Sequence, residues 1–171
     1  MFYSGGVIMI TLVKLSDQDY PAFKEQTIQN YAEQSVRAGR IAESEALAFS
    51  KRTVGKVLPR GLKTEGHTIF SIIEASEKEP VGYLWVGSHS EHPRQAFIYD
   101  LFIKESYRGN GYGREAIRQL KTRLAEMGYE SVGLHVYAFN EVAIKLYSKE
   151  GFETISITMK CPLKEDKGRD C

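Results

Sequence analysis

Residues 95–127 constrain the fold more than any other segment, because they combine an apolar strand, a glycine-rich turn and an amphipathic helix. Residues 95–104 are apolar on both faces around Asp100, which is typical of a central strand. The apolar residues of 111–127 recur at alternating spacings of four and three, which predicts one buried helical stripe. They are Gly113, Ile117, Leu120, Leu124 and Met127.

The rest of the pattern predicts a mixed sheet around this segment. Strands are predicted where apolar and polar residues alternate or where β-branched and aromatic residues are frequent. Helices are predicted where apolar positions recur at helical spacing between capping residues. In chain order, the predicted elements outside the segment are a strand at 10–15, helices at 17–38 and 43–57, strands at 67–75, 81–88 and 131–137, a helix at 140–150 and a last strand at 152–161. This order predicts an α/β (α+β) fold with helices on a mixed sheet.

Length and composition fit one domain. The chain has 171 residues and a net charge of +1, which gives no global bias toward nucleic acid or an anionic membrane. We expect a single domain at 9–162, a disordered or expression-derived extension at 1–8 and a charged flexible tail at 163–171. With no membrane-length apolar window and no recognisable signal peptide, we expect a cytoplasmic protein. The cysteines and histidines show no metal-ligand spacing, which predicts that no metal is bound.

The turn between the central strand and its helix has the chemistry of an anion site. Gly109, Gly111 and Gly113 alternate ahead of the helix, and glycine lets backbone approach a ligand closely. The first N–H groups of a helix are unpaired and partly positive, which favours a phosphate or pyrophosphate. A P-loop requires Lys-Ser or Lys-Thr after the last glycine, whereas Arg114-Glu115 follows here. A dinucleotide fingerprint requires G-x-G-x-x-G instead of G-x-G-x-G, so both nucleotide motifs are disfavoured.

Two motifs in this half of the chain recur together in a known enzyme superfamily. Arg108, Gly111 and Gly113 form the pattern R-x-x-G-x-G. Downstream, the segment from Asn140 to Tyr147 reads N-x-x-A-x-x-x-Y and is followed by Gly-Phe. The first motif resembles the acyl-CoA pyrophosphate signature of the GNAT superfamily of N-acetyltransferases, and the second is similar to the other recurrent motif of that superfamily.

The resemblance covers residues 69–157 and implies both a fold and an activity. The implied fold is a mixed, mostly antiparallel sheet of six or seven strands with about four helices on both faces. The implied reaction transfers an acetyl group from acetyl-CoA to a primary amine, by direct attack in a ternary complex without an acyl-protein intermediate. The implied acceptor is a small-molecule or peptide amine, and the protein is expected to be a monomer or homodimer without nucleic-acid or membrane partners.

The resemblance also implies roles for individual residues. In the superfamily, the tyrosine of the second motif protonates or hydrogen-bonds the departing thiolate, which implies that Tyr147 is catalytic. The asparagine binds the pantetheine arm, and the strand before the loop supplies main-chain contacts and an N–H group for the thioester carbonyl. The implied acyl-CoA-binding residues are Leu101, Phe102, Ile103, Arg108, Gly109, Asn110, Gly111, Tyr112, Gly113, Arg114 and Asn140.

The reaction also needs a base, because an alkylamine with a pKa near ~10 is mostly protonated at neutral pH. Asp100 on the central strand and Glu74 on the hairpin are the candidates, acting directly or through water. The acceptor pocket is expected between the first two helices and the hairpin. Tyr31 and Tyr83 are candidates there for cation–π contact with an amine, whereas Trp85 is expected to belong to the core.

Three alternatives remain open from the sequence. The first is an acyl-CoA-binding sensor of the same fold without catalysis, against which Asn140 and Tyr147 argue. The second is a transferase for another acyl group, such as succinyl, although no basic residue is obviously aimed at a distal carboxylate. The third is nucleotide binding without CoA, which predicts that ATP binds in preference to CoA.

Overall fold

The computed structural model describes residues 9–77, 79–89, 92–161 and 163 of the chain. Within these residues, five strands form one sheet in the order β1-β2-β3-β4-β5. The strands are β1 (Ile10–Lys14), β2 (His67–Glu74), β3 (Gly82–Ser88), β4 (Gln95–Ile103) and β5 (Ser131–Leu134). The helices are α1 (Tyr20–Arg37), α2 (Glu43–Val57), α3 (Tyr112–Glu126) and α4 (Glu141–Lys149).

The sheet confirms the predicted mixed, mostly antiparallel architecture. β1 to β4 pair with one another in antiparallel fashion, and β5 joins β4 in parallel. A parallel pair needs a crossover connection, which α3 supplies between β4 and β5. The sheet has five strands in the described residues where six or seven were expected.

Each face of the sheet carries a hydrophobic core of its own. The α3-side core is built from apolar residues of the strands and of α3, and its buried members include Ile72, Leu84, Ile98, Ile117 and Leu120. The α1-side core contains Leu15, Phe23, Leu58, Ile69, Tyr83 and Trp85. Trp85 is buried there, as predicted, and its Nε1–H donates to His67 Nδ1 at 3.1 Å.

Strand β4 contains a bulge that changes which face its side chains occupy. Its pairing with β3 joins Ile98 to Val86 and Asp100 to Trp85, so Tyr99 is an extra residue. In a regular strand, Ile98 and Asp100 would point to the same face. The bulge instead leaves Ile98 in the α3-side core and places Asp100 opposite Trp85, on the α1 side. Bulges re-aim side chains in this way beside functional sites.

Two sequence predictions differ from the structure at helix and strand boundaries. The first helix begins at Tyr20 instead of residue 17, because Ser16 and Asp19 form a hydrogen-bonded turn ahead of it and Pro21 occupies its first turn. The predicted strand at 152–161 is wrong within the single chain, since these residues pair with no described strand and residues 153–161 are exposed.

The predicted extension at 1–8 lies outside the described residues, as does the predicted tail at 163–171 apart from Leu163. No helix in the described part of the chain is long and apolar enough to cross a membrane.

Candidate active site

The glycine-rich turn is a tight left-handed connection between β4 and α3. Gly109 has a φ of 79° and Gly111, the N-cap of α3, has a φ of 88°. L-residues with a side chain rarely adopt such values, so both positions favour glycine. Since Gly111 carries no side chain to cap the helix, the first N–H groups of α3 are left for another acceptor. The predicted anion site therefore has the local geometry that it requires.

Gly113 allows the first turn of α3 to pack closely against its neighbours. A Cβ on Gly113 would meet Leu146 Cδ2 at 3.4 Å and Ile103 Cγ1 at 3.8 Å. The first turn of α3 thus lies against both the end of β4 and helix α4. The two predicted motifs are brought together at this point.

Arg108 and Asn110 are engaged with the loop backbone. Arg108 Nε donates to Ile103 O at 3.0 Å, and the guanidinium carbon lies 5.8 Å from the centre of the Phe102 ring. Asn110 Nδ2 donates to Tyr107 O at 3.4 Å. Arg108 therefore holds the end of β4 against the loop, and its terminal guanidinium nitrogens are the groups that would bind a phosphate.

Strands β4 and β5 separate where the acyl end of the donor is expected. Their parallel pairing runs from Gln95↔Ser131 to Ile98↔Leu134 and stops there. Beyond that point, the β5-facing side of β4 has no strand partner among the described residues. The main chain of Leu101, Phe102 and Ile103 therefore borders an opening in the sheet, where an extended ligand can pair with it as a strand would.

Asp100 lies at the start of this opening, on the α1 side. Thr27 Oγ1 donates to Asp100 Oδ2 at 3.0 Å, and Asn30 Nδ2 donates to Oδ1 at 3.5 Å. Burial raises the pKa of the Asp100 carboxyl to about 6, although hydrogen bonds from Thr27, the Leu101 backbone and Asn30 act in the opposite direction. A carboxyl with this pKa is ionised at neutral pH and exchanges protons readily with a substrate.

Tyr147 lies on helix α4 and interacts electrostatically with Asp100. Its ring packs against the α3-side core and against Phe152, with 5.4 Å between ring centres. Burial raises the pKa of Tyr147 to about 12, and the negative charge of Asp100 adds to the increase. The phenol is therefore protonated throughout the physiological range and is a hydrogen-bond donor. Tyr147 and Asp100, the two residues predicted to be catalytic, thus interact electrostatically.

Asn140 is the N-cap of α4. Its Oδ1 accepts a hydrogen bond from the Ala143 N–H at 3.2 Å, which is the usual role of asparagine at this position. Because the cap uses Oδ1, Nδ2 is the group that would donate to the pantetheine arm.

A buried carboxylate that the sequence did not reveal joins α3 to α4. Glu150 is 7% exposed, and its oxygens lie 3.3 Å from Arg114 Nε and 3.2 Å from Arg118 Nε. Lys121 Nζ donates to the Glu150 carbonyl at 2.7 Å. Arg114 was predicted to bind acyl-CoA, and in the structure its Nε forms an ion pair with Glu150. The two helices that carry the predicted motifs are thus fixed to each other by charge.

The structure separates the two candidate bases. Glu74 follows Phe70 and Ile72 on the face of β2 that packs toward α3, whereas Asp100 faces α1. Burial, together with the Glu74 carboxylate, raises the pKa of Tyr112 at the start of α3. Of the two candidates, only Asp100 contributes to the raised pKa of Tyr147, which favours Asp100 as the base.

A cleft of about 560 Å³ opens on the α1 side of the β4 end. Its lining combines α1, the turn between β2 and β3, and the loop after β4. The lining residues are Asp19, Ala22, Gln26, Glu79, Tyr83, Phe102, Lys104, Glu105 and Arg108. Tyr83 thus lines the predicted acceptor region, whereas Tyr31 stacks on Phe49 with 6.0 Å between ring centres. Among the described residues, no group of three His, Cys, Asp or Glu side chains is placed to hold a metal ion.

The raised pKa of Asp100 gives a testable pH dependence of stability. The folded carboxyl binds its proton more tightly than the unfolded one, so its contribution to the free energy of unfolding falls as pH rises from 3.8 to about 6. Asparagine is neutral throughout and retains an oxygen to accept from Thr27. We therefore expect Asp100→Asn to gain up to about 3 kcal/mol relative to the wild type between about pH 4 and pH 7.

Urea unfolding at several pH values measures this gain. Asp17→Asn is the matched control, because Asp17 is an exposed aspartate in the turn between β1 and α1. Its unfolding curve is expected to run parallel to that of the wild type. If the Asp100→Asn curve is also parallel, the pKa of Asp100 is not raised.

Comparison with known proteins relates this geometry to an enzyme family. Residues 30–152 match the Acetyltransferase (GNAT) family. The uncharacterised N-acetyltransferase YycN of Bacillus subtilis (strain 168) is 38% identical over 151 residues, which cover 88% of this chain and 96% of that protein. A crystal structure of YycN from Bacillus subtilis has a TM-score of 0.86 at 37% identity, covering 92% of this chain and all of the other. The mycothiol acetyltransferase of Corynebacterium efficiens is 36% identical over 74 residues, 43% of this chain and 24% of that protein.

Proposed function

Because the chain belongs to the Acetyltransferase (GNAT) family, we propose that it is an acetyl-CoA-dependent enzyme that acetylates a primary amine. The observation that carries this proposal is the opening where β4 and β5 separate, with the buried Asp100 at its start and Tyr147 on helix α4. The opening accepts the pantetheine arm, and the start of α3 accepts the pyrophosphate. Asp100 and Tyr147 then lie on either side of the thioester.

The donor is held by main chain and by a helix N-terminus. The N–H groups around Gly111 and Gly113 bind the pyrophosphate, with the Arg108 guanidinium neutralising its charge. The backbone of Leu101 to Ile103 pairs with the pantetheine, and Asn140 Nδ2 donates to it. A backbone N–H of this strand polarises the thioester carbonyl, a contact worth about 2.7–4 kcal/mol in the transition state.

The free amine, which forms when the protonated amine loses one proton to solvent, attacks the thioester carbon directly. Its nitrogen forms a bond to that carbon, and the C–S bond breaks as the tetrahedral intermediate collapses. The nitrogen becomes far more acidic once the new bond forms, so Asp100 can accept its proton directly or through water. Tyr147 donates its phenolic hydrogen toward the departing CoA thiolate.

The electrostatic interaction between Asp100 and Tyr147 couples these two proton movements. While ionised, Asp100 raises the pKa of Tyr147 and keeps its proton in place. When Asp100 takes the proton from the amine, this charge disappears and the phenol becomes a better acid. The proton on Asp100 then replaces the one given to the thiolate, which returns both groups to their initial states.

The acceptor is proposed to enter by the cleft on the α1 side. Burial is the main cause of the raised pKa of Tyr83, and the carboxylates of Asp19 and Glu79 add to it. These two carboxylates and Tyr83 line the same cleft, so negative charge is concentrated beside Tyr83. A protonated small-molecule or peptide amine is attracted to such a wall and to the Tyr83 ring. Lys104 and Arg108 also line the cleft.

Release of free CoA tests the proposed function. Acetyl-CoA is incubated with the protein and a panel of polyamines, amino acids, aminoglycosides and peptide N-termini, and the thiol is measured. We expect at least one amine to accelerate thiol release and to carry the acetyl group in mass spectra. Tight binding of acetyl-CoA without acceleration by any amine would support the sensor alternative, and preference for succinyl-CoA would support another acyl group.

A further inference from the structure

Helix α1 carries a run of polar side chains on the face that contacts Asp100. Thr27 and Asn30 donate to the Asp100 carboxylate. Tyr31 and Gln34 each follow one of these two residues by four positions, a spacing that keeps side chains on the same side of a helix. Both are partly buried, and partly buried polar groups normally have hydrogen-bond partners. The partners of Tyr31 and Gln34 therefore indicate what this face binds.

Gln34 lacks such a partner on its side-chain oxygen. Gln34 Oε1 is buried and accepts no hydrogen bond from the residues that the structure describes. A buried acceptor without a donor is destabilising, and an N–H group of a bound molecule would remove that penalty. The amide oxygen therefore marks a position on this face of α1 where a ligand can donate a hydrogen bond.

Tyr31 belongs to a basic cluster that joins α1 to the loop after β5. Arg40 Nη1 donates to Tyr137 Oη at 3.0 Å and to Tyr31 Oη at 3.5 Å. Because each phenol oxygen accepts from the guanidinium, each phenol keeps its own O–H to donate. Arg40 is exposed and forms no ion pair with a carboxylate in the described part of the chain. Tyr31, Arg40 and Tyr137, here the arginine–tyrosine cluster, thus combine an unneutralised cation with two further donors.

The two phenols of the cluster are held in place by neighbouring rings. Tyr31 stacks on Phe49 with 6.0 Å between ring centres, and Tyr137 stacks on Phe139 with 5.2 Å. A second guanidinium is close by, since the Arg37 carbon Cζ lies 4.3 Å from the centre of the Phe139 ring. Donors that are already ordered around positive charge bind a carboxylate at a low entropic cost.

The cluster lies across the sheet opening from Asp100. Tyr137 is three residues beyond Leu134, where the pairing of β5 with β4 ends, and Asp100 is two residues beyond the partner of Leu134, Ile98. The two residues therefore follow different strands on either side of the opening in which the thioester is proposed to lie. Helix α1 contacts Asp100 and also carries one tyrosine of the cluster, so the same helix face borders both.

We propose that the arginine–tyrosine cluster binds a carboxylate of the acceptor, so that the substrate carries a primary amine and a carboxylate on one molecule, as an amino acid or a short peptide does. This inference rests on the proposed acetyl transfer and specifies its acceptor. The amine lies at Asp100, and the carboxylate accepts from Arg40 and from the two phenolic O–H groups. Gln34 Oε1 accepts from an N–H group of the substrate.

The order of charges along α1 fits such a zwitterion. Asp19, at the N-cap of α1, lines the acidic cleft through which the amine is proposed to enter. The contacts with Asp100 come next along the helix, and Arg37 and Arg40 lie at its end. A polyamine would place a second cation beside these arginines, and like charges in contact disfavour binding. The cluster therefore favours acceptors with a distal negative charge.

Pairs of amines that differ only at the carboxylate test the proposal. The pairs are α-amino acids, ω-amino acids of increasing length and dipeptides, each compared with its own carboxamide. Thiol release from acetyl-CoA gives kcat and KM for every member. We expect kcat/KM of the wild type to be about 10- to 100-fold higher for the carboxylate than for the carboxamide in the best series. The series with the largest ratio distinguishes an amino acid from a peptide.

Variants at the end of α1 assign this preference to the cluster. Arg40→Gln is expected to raise KM for the carboxylate substrate about 10- to 100-fold and to change kcat/KM for the carboxamide by less than about twofold. Arg37→Gln is the matched control, because it removes the same charge from the same helix end, where the side chain contacts Phe139 and no tyrosine hydroxyl. It is expected to keep the wild-type preference. Circular dichroism is expected to be unchanged in both variants.

The possible results separate this inference from the proposed function. Acetylation of both members of every pair with equal kcat/KM, or an equal loss for both members in Arg40→Gln, would overturn the carboxylate site and leave acetyl transfer intact. The same holds if Arg37→Gln loses the preference as fully as Arg40→Gln, or if polyamines are better acceptors than every amine with a carboxylate. If no amine of any kind accelerates thiol release, the proposed function fails and this inference fails with it.

Discussion

Replacing Tyr147 with phenylalanine is expected to lower kcat by about 10²- to 10³-fold and to leave the Kd for acetyl-CoA nearly unchanged. The phenol is placed to act on the leaving thiolate, which carries full negative charge only late in the reaction. An interaction that is made only in the transition state affects kcat and leaves ground-state binding intact.

The surroundings of Tyr147 make this substitution informative. Its ring lies between the α3-side core and Phe152, and phenylalanine fills the same volume. The loss is therefore confined to the hydroxyl group. Steady-state rates of CoA release give kcat, and calorimetric titration with acetyl-CoA gives Kd.

Tyr129→Phe is the matched control. Tyr129 is another partly buried tyrosine that packs against the α3-side core, after the end of α3. Its variant is expected to retain wild-type kcat. If Tyr147→Phe weakens acetyl-CoA binding strongly but keeps its turnover, Tyr147 is a binding residue and its role as the acid is rejected.

Replacing Gly111 with alanine is expected to weaken acetyl-CoA binding by about 10- to 100-fold, or about 1.4–3 kcal/mol. Gly111 has a φ of 88°, and an alanine in the left-handed region costs about 1–2 kcal/mol. The loop relieves this strain by shifting, which moves the N–H groups that bind the pyrophosphate. The new methyl group also stands at the helix end that the anion must approach.

Gly128→Ala distinguishes loss of the anion site from general strain. Gly128 follows the other end of α3 and has a φ of 87°, so alanine meets nearly the same backbone strain there. We expect the two variants to lose similar free energies of unfolding, and only Gly111→Ala to lose affinity for acetyl-CoA. Equal loss of affinity in both variants would place the pyrophosphate away from the start of α3.

Much of the site was predictable from the sequence because its two motifs are local. The strand before Arg108, the left-handed glycines and the apolar stripe of α3 are determined by neighbouring residues, so their pattern survives in the linear sequence. The same holds for Asn140, whose capping bond joins it to Ala143 three positions away. The mixed sheet followed from the order of these elements, and the resemblance to the superfamily implied its mostly antiparallel pairing.

The environment of Asp100 was not predictable, because long-range contacts create it. Thr27 and Asn30 lie on α1, 73 and 70 positions earlier in the chain. The bulge at Tyr99 left one signal, since the apolar phase of β4 changes from Ala96 and Ile98 to Leu101 and Ile103. That shift from even to odd positions indicates an inserted residue.

Two other features differ from the sequence-based expectation for different physical reasons. Glu150 resembles a solvated residue at a helix end, and only the packing of α4 on α3 shows that its carboxylate is buried between Arg114 and Arg118. The strand at 152–161 was predicted from its alternation, which indicates a buried face without specifying the molecule that buries it.

Calorimetric titration of the wild-type protein with acetyl-CoA tests the proposed donor site most directly. We predict binding of one acetyl-CoA per chain, inhibition of that binding by CoA, and no comparable inhibition by ATP. Absence of binding at high micromolar acetyl-CoA, or displacement of acetyl-CoA by ATP at lower concentration than by CoA, would contradict a donor site formed by the start of α3 and the opening between β4 and β5.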